Sequence, residues 1–156
     1  MAYATNTTVP VERTEGEIKG TLRRYGATAM AVFENGEYAI IAFEMRGRRV
    51  TMKLPLPDRT SKEFTETPSG KWARSDGDAY KAWEQACRGK WRAMLLCIKA
   101  KLESVESGIE TFEESFLAHI QMPDGLTVGE YTKPAIARAY ETGNMQPLLP
   151  GPSGAN

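Results

Sequence analysis

Apolar positions change their period several times along this chain, and each change marks an element. Ile18, Leu22 and Tyr25 recur at helical spacing within TEGEIKGTLRRYG. Thr14 with Glu17 reads as a capping box that opens this helix, and Gly26 closes it. From Ala27 to Pro57 the period falls to two, which predicts a three-stranded antiparallel meander. Asn35-Gly36 has the form of a two-residue hairpin turn, pairing Phe33 with Tyr38, Val32 with Ala39 and Met30 with Ile41. Arg46-Gly47 as the second turn pairs Glu44 with Arg49, Phe43 with Val50 and Ile41 with Met52. One face then carries Met30, Val32, Ile41, Phe43, Val50, Met52 and Leu54 and is assigned to the core. The other carries Ala29, Ala31, Phe33, Tyr38, Ile40, Ala42, Glu44, Arg49, Thr51 and Lys53. Pro55 and Pro57 end the sheet.

A polar segment, DRTSKEFTETPSGKWARSDGD, reads as a loop of functional length. A long helix follows from about Asp76 to Ser107, capped by Ser75 with Asp78 three residues on. Its large apolar residues, Tyr80, Trp83, Cys87, Trp91, Met94, Ile98, Leu102 and Val105, keep to one stripe. A second side is small (Ala82, Ala86, Gly89, Ala93, Cys97, Ala100) and predicts close approach of another helix. Lys81, Arg88, Arg92 and Lys99 form a row about 27 Å long on the opposite flank. Thr111 and Glu114 form a capping box for a short helix whose Phe112, Phe116 and Ile120 turn inward. Asp124-Gly125 marks a turn, and a last helix starts at Thr127 or near Lys133. The resulting fold class is α+β: an N-terminal helix, a three-stranded antiparallel meander, a long amphipathic helix packed on the sheet and two shorter C-terminal helices. Residues 1–10 read as a flexible arm, 11–142 as one domain and 143–156 as an extended Pro/Gly-rich tail.

Composition narrows the function classes. Of 156 residues 26% are charged and 41% hydrophobic, an ordinary globular balance. No run is long and apolar enough for a membrane span, and the N-terminus lacks the pattern of a secretory leader. Cys87 and Cys97 lie about 15 Å apart on one helix, too far for a disulfide, which fits core thiols in a reducing, cytoplasmic setting. Net charge is zero but unevenly placed. Arg13 to Lys101 holds 18 Lys/Arg against 11 Asp/Glu, whereas Glu103 to Tyr131 holds 7 acids and no Lys or Arg.

Catalytic and metal chemistry find little to stand on. His119 is the single histidine and sits among Phe116, Leu117 and Ile120, so it reads as structural. SGKW around Lys71 lacks the first glycine and the Ser/Thr of a phosphate loop. Asp76 and Asp78 are explained by a helix start, and Glu103, Glu106, Glu110, Glu113 and Glu114 by a solvated acidic surface. No catalytic residue, metal ligand or cofactor is assigned. The positive signal is cations interleaved with aromatics, which suits single-stranded nucleic acid because bases stack on rings while Lys and Arg neutralise phosphates. The proposed contacts are Arg46, Arg48, Arg49, Lys53, Lys71, Arg74, Lys81, Arg88, Arg92 and Lys99, with Phe33, Tyr38 and Trp72 as stacking rings. The competing reading is a solvated or intersubunit surface, including a homodimer through the non-core sheet face.

The run AWEQACRGKWRAMLLCIKAKLESVESGIETFEESFLAHI, followed by PDGLTVGE and LLPG, resembles small uncharacterised proteins of tailed-phage and prophage genomes. RYGATA and FEMRGRRVTMKLPLP extend the resemblance, which spans about Val9 to Gly151. It implies a viral or prophage setting in bacterial cytoplasm and carries no assigned active site. The expectation is therefore a non-enzymatic, single-stranded-DNA-binding protein of phage replication or recombination. The alternative is a host-takeover or anti-defence protein that binds a host protein or a small signalling nucleotide.

Overall fold

The computed structural model describes residues 2–151. Elements follow in the order α1 (Val11–Arg24), β1 (Ala29–Glu34), β2 (Tyr38–Met45), β3 (Arg48–Pro55), α2 (Lys62–Thr65), α3 (Asp76–Glu106), α4 (Phe112–Phe116) and α5 (Val128–Thr142), with a 3-10 turn at Leu117–His119. The strands pair antiparallel in the order β1-β2-β3. This is the α+β arrangement that the periodicities predict.

The first helix starts earlier than its capping box implied. Arg13 and Thr14 donate their backbone N–H groups to the Pro10 carbonyl, so the helix opens at Val11 with no side-chain cap. Thr14 is instead fully buried inside α1, where its hydroxyl accepts from Arg92 of α3 at 3.3 Å. Glu17, the other half of the expected box, also turns to Arg92. Tertiary partners have taken both side chains.

The first hairpin is two residues out of the expected register. Phe33 pairs with Ile40, Val32 with Ile41 and Met30 with Phe43. The reason lies in Asn35, whose Oδ1 accepts from the N–H groups of both Glu37 and Tyr38. That arrangement builds a turn from Asn35 to Tyr38, closed by Asn35 N–H donating to the Tyr38 carbonyl. Asn at the first position favours such a turn, and Gly36 does not enter the left-handed region. A two-residue shift preserves faces, whereas a one-residue shift would exchange them. The second turn forms as expected. Arg46 (φ 51°) and Gly47 (φ 73°) both adopt positive φ, and Glu44 opposes Arg49.

Ala39, Ile41, Phe43, Met45, Val50, Met52 and Leu54 are buried on the core face against Trp91, Met94, Ile98 and Leu102 of α3. Ser75 caps α3 by accepting from the Asp78 N–H at 3.2 Å. The small side of α3 receives the N-terminal segment rather than a helix. An added Cβ at Gly89 would sit 3.4 Å from the Ala4 carbonyl oxygen, and Gln85 donates to the carbonyls of Thr5 and Thr7. Helix α1 crosses α3 on the cation-bearing flank instead, through Arg92. The polar segment before α3 is also ordered. Phe64 of α2 is buried, Glu66 bridges Ala73, and Arg74 donates to the carbonyls of Glu63 and Phe64.

At the far end, Thr111/Glu114 and Thr127/Glu130 form complete capping boxes for α4 and α5. Residues 143–151 follow α5 without helix or strand, and the rest of the expected tail, 152–156, lies outside the described residues. Phe116 is fully buried, edge-on to Phe43 at 5.7 Å and 5.0 Å from Phe112. Phe116→Ala should therefore destabilise the protein by about 3–5 kcal/mol, measured by urea denaturation. A loss below about 1 kcal/mol would mean that α4 does not complete this core.

Candidate nucleic-acid interface

Alternation along the strands leaves the second face of the sheet outside the core. Three cross-strand rows can be read along it. Phe33 pairs with Ile40, which pairs with Lys53; Ala31, Ala42 and Thr51 form the next row; Ala29, Glu44 and Arg49 form the last. At the first row the Phe33 and Tyr38 ring centroids lie 6.0 Å apart, tilted by 44°. Lys53 Nζ sits 4.3 Å from the Tyr38 centroid, within cation–π range. Phe33 is 52% exposed, a large apolar ring facing solvent. The second and third rows form a shallow groove lined by Ala29, Ala31, Ala42, Glu44, Arg49 and Gln121.

Electrostatics divide the expected cations into groups. Arg49 Nη2 lies 2.7 Å from Glu44 Oε1, and Arg48 lies 3.6 Å from Glu113 across half-exposed side chains. Arg46 stands over the Phe112 ring at 6.0 Å. The arginine-rich turn is thus partly neutralised by local acids. The row on α3 is interrupted at its centre. Arg92 donates to Glu17 at 2.8 Å and to Thr14, while Arg88 donates to Gln85 and is half-buried. Lys81 and Lys99 remain exposed at the two ends.

Trp72 and Lys71 occupy the tip of a small hairpin closed by Thr67 N–H donating to the Trp72 carbonyl. Trp72 is 72% exposed, but its loop packs through Phe64 against α3, on the opposite side of the molecule's layers from the open sheet face. Arg74 is internal to that loop as a brace. The structure therefore brings Phe33, Tyr38 and Lys53 together, keeps Arg46, Arg48 and Arg49 at the far end of the sheet, and leaves the Trp72 tip and the α3 row elsewhere.

Two residues and one pairing escaped the sequence reading. Gln121 donates its backbone N–H to the Arg49 carbonyl at 2.8 Å and so covers one end of the β3 edge. Arg59 stands over the rings of Tyr80 and Trp83 at 4.7 and 5.7 Å. Glu17 and Arg92 are 75 residues apart in sequence, and no local pattern announces their pairing. Burial pushes the Cys87 thiol up to about 11, which makes it an unreactive core group, whereas Cys97 is exposed. Burial, then Lys101 and Lys133, hold His119 below the ordinary imidazole value. Among the described residues no group of three His, Cys, Asp or Glu side chains is placed to hold a metal ion. No helix there is long and apolar enough to cross a membrane. Comparisons with family models, curated proteins and solved structures give no match.

The hydrogen bond from Arg92, reinforced by its charge, holds the Glu17 carboxyl below its ordinary value of 4.5. A depressed carboxylate contributes stability above its unfolded-state pKa and loses it as pH falls through the folded one. Glu17→Gln should lower the urea midpoint at pH 7 and flatten its decline below about pH 4.5. An unchanged midpoint and acid limb would show that the α1–α3 contact does not depend on this pair.

Proposed function

We propose that this protein binds single-stranded nucleic acid, without catalysis, on the open face of its sheet. The observation that carries this reading is the cluster of Phe33, Tyr38 and Lys53: two adjoining rings on an uncovered face, with a cation held over the Tyr38 ring. Bases are planar and apolar on their faces, so they stack on such rings, while the ammonium is within reach of the phosphate that follows. Each stacked base contributes about 1–3 kcal/mol. The alanine floor of the next rows lets a strand lie close to the sheet, and Arg49 and Arg48 stand at its far end. Because these two arginines already face Glu44 and Glu113, phosphate neutralisation is limited. Stacking therefore contributes more than charge, in keeping with a net charge of zero. From the resemblance of the chain to small tailed-phage proteins we further propose that this binding serves phage DNA replication or recombination in bacterial cytoplasm.

Fluorescence anisotropy with a labelled oligothymidylate, read across a salt series, tests the reading. Neutralisation of about two phosphates predicts a log–log salt slope of about −1.4. Phe33→Ala should weaken binding by about 5- to 150-fold, and Lys53→Ala should make the slope shallower by about 0.7. Trp72→Ala, remote from the sheet face, should leave affinity unchanged. If Trp72→Ala abolishes binding while Phe33→Ala does not, the sheet face is not the site. Absence of binding at low salt would end the nucleic-acid reading and turn the same apolar face over to a protein partner.

A further inference from the structure

The two edges of the sheet are treated differently. On β3 the outer edge is covered at its Arg49 end, where Gln121 donates to the Arg49 carbonyl and Ile120 bridges Val50, and its remainder carries Lys53 and Pro55, a lysine and a proline that discourage pairing. On β1 the strand order places nothing beyond Ala29–Glu34. The hydrogen-bond parity can be fixed from the turn. Asn35 donates to Tyr38, so the alternate residues Phe33, Ala31 and Ala29 bond to β2, and Met30, Val32 and Glu34 direct their N–H and C=O groups outward. Among the described residues no hydrogen bond reaches these outward groups. The strand, AMAVFE, contains none of the usual protection of an edge: no proline, no lysine, and its one charge only at the end.

Helix α1 adds a second, independent feature. Its C-terminus leads through a short turn into β1, and its start lies beside the end of β1, where Pro10, Val11, Glu12 and Glu34 line one cleft. The helix thus runs antiparallel to the strand. Its flank opposite α3 carries Glu12, Glu15, Lys19 and Arg23 in that order, one helical row with an acidic first half and a basic second half. Lys19 and Glu15 pair within the row at 3.0 Å. Glu34 joins the acidic end, and burial together with the charges of Glu15 and Glu12 raises its carboxyl above the ordinary value.

We infer that the partner of the β1 edge is a second copy of this chain, joined antiparallel about a two-fold axis at Val32 into a six-stranded sheet. Of the possible antiparallel registers, this one engages all three outward residues: Val32 opposes its own symmetry mate, and Met30 opposes Glu34 of the other copy. The same two-fold axis lays the two α1 helices antiparallel, so that Glu12 and Glu15 of each copy meet Lys19 and Arg23 of the other. A parallel partner would set like charges together. The pairing also acts on the open face. Phe33 of one copy stands diagonal to Phe33 of the other, about 7–8 Å away, so two aromatic clusters would form one platform. The dimer itself stands on the edge and the charge row, and does not depend on nucleic-acid binding.

Sedimentation velocity over a concentration series, without nucleic acid, tests it. The wild type should sediment at twice the chain mass. Val32→Pro should be monomeric, since the lost N–H points outward and bonds nothing within the chain. Because that variant could fail to fold, the charge row supplies a second test. Glu12→Arg and Arg23→Glu should each weaken the dimer, and the double variant should restore it, because the reversed row is again self-complementary. A monomeric wild type overturns the inference. So does a dimer that tolerates Val32→Pro in a folded chain, or single reversals that leave association unchanged.

Discussion

The structure depends on one contact, the burial of the core face of a three-stranded sheet beneath the stripe of α3. Three strands alone do not make a stable domain, and this meander gains stability by setting Ile41, Phe43, Val50 and Met52 against Trp91, Met94 and Ile98. The geometry of that contact decides the rest. A helix of 31 residues is about 46 Å long, far longer than strands of six to eight residues, so its ends overhang the sheet. The overhanging ends are held by other elements: α2 and the N-terminal segment at one end, α4 at the other. Helices α1, α2 and α4 pack against α3 and α5 packs against the 3-10 turn, so among the described residues the opposite face of the sheet keeps Ala29, Ala31 and Phe33 exposed.

Much of this was legible in the sequence because it rests on local rules. The α3 stripe, its Ser75 cap, the Arg46-Gly47 turn and the Thr111/Glu114 box all follow from side chains within a few residues of one another, and all are present. The core and outer faces were also legible, since the register shift at Asn35 moves pairs by two residues and leaves each face intact. What could not be read was competition from distant partners. Thr14 and Glu17 had the pattern of a cap, but Arg92 offers them a hydrogen bond and an ion pair that a solvated cap cannot match. Asn35 similarly preferred to cap its own turn with its side chain rather than adopt positive φ.

The same limit governs the candidate site. Types of residue were visible, but their neighbours were not. Arg92, Arg74 and Arg49 look alike in the sequence, yet one ties two helices together, one braces a loop and one pairs across strands. A neutral chain with clustered cations could have presented a basic face. Instead the acids of α1, β2 and α4 pair with Arg92, Arg49 and Arg48, Lys81 and Lys99 stay exposed but far apart, and the cluster on the open sheet face is aromatic. The proposed site is therefore a small stacking platform on the sheet rather than a broad basic surface.

The most direct test of this account is an amide NMR titration of the labelled protein with a short oligothymidylate. Binding at the open face predicts shift changes centred on Phe33, Tyr38, Ile40 and Lys53, falling away across Ala31 and Ala42 and absent from α3 and from the loop around Trp72. Changes centred on Lys81, Lys99 or Trp72, or no changes at saturating oligonucleotide, would contradict it.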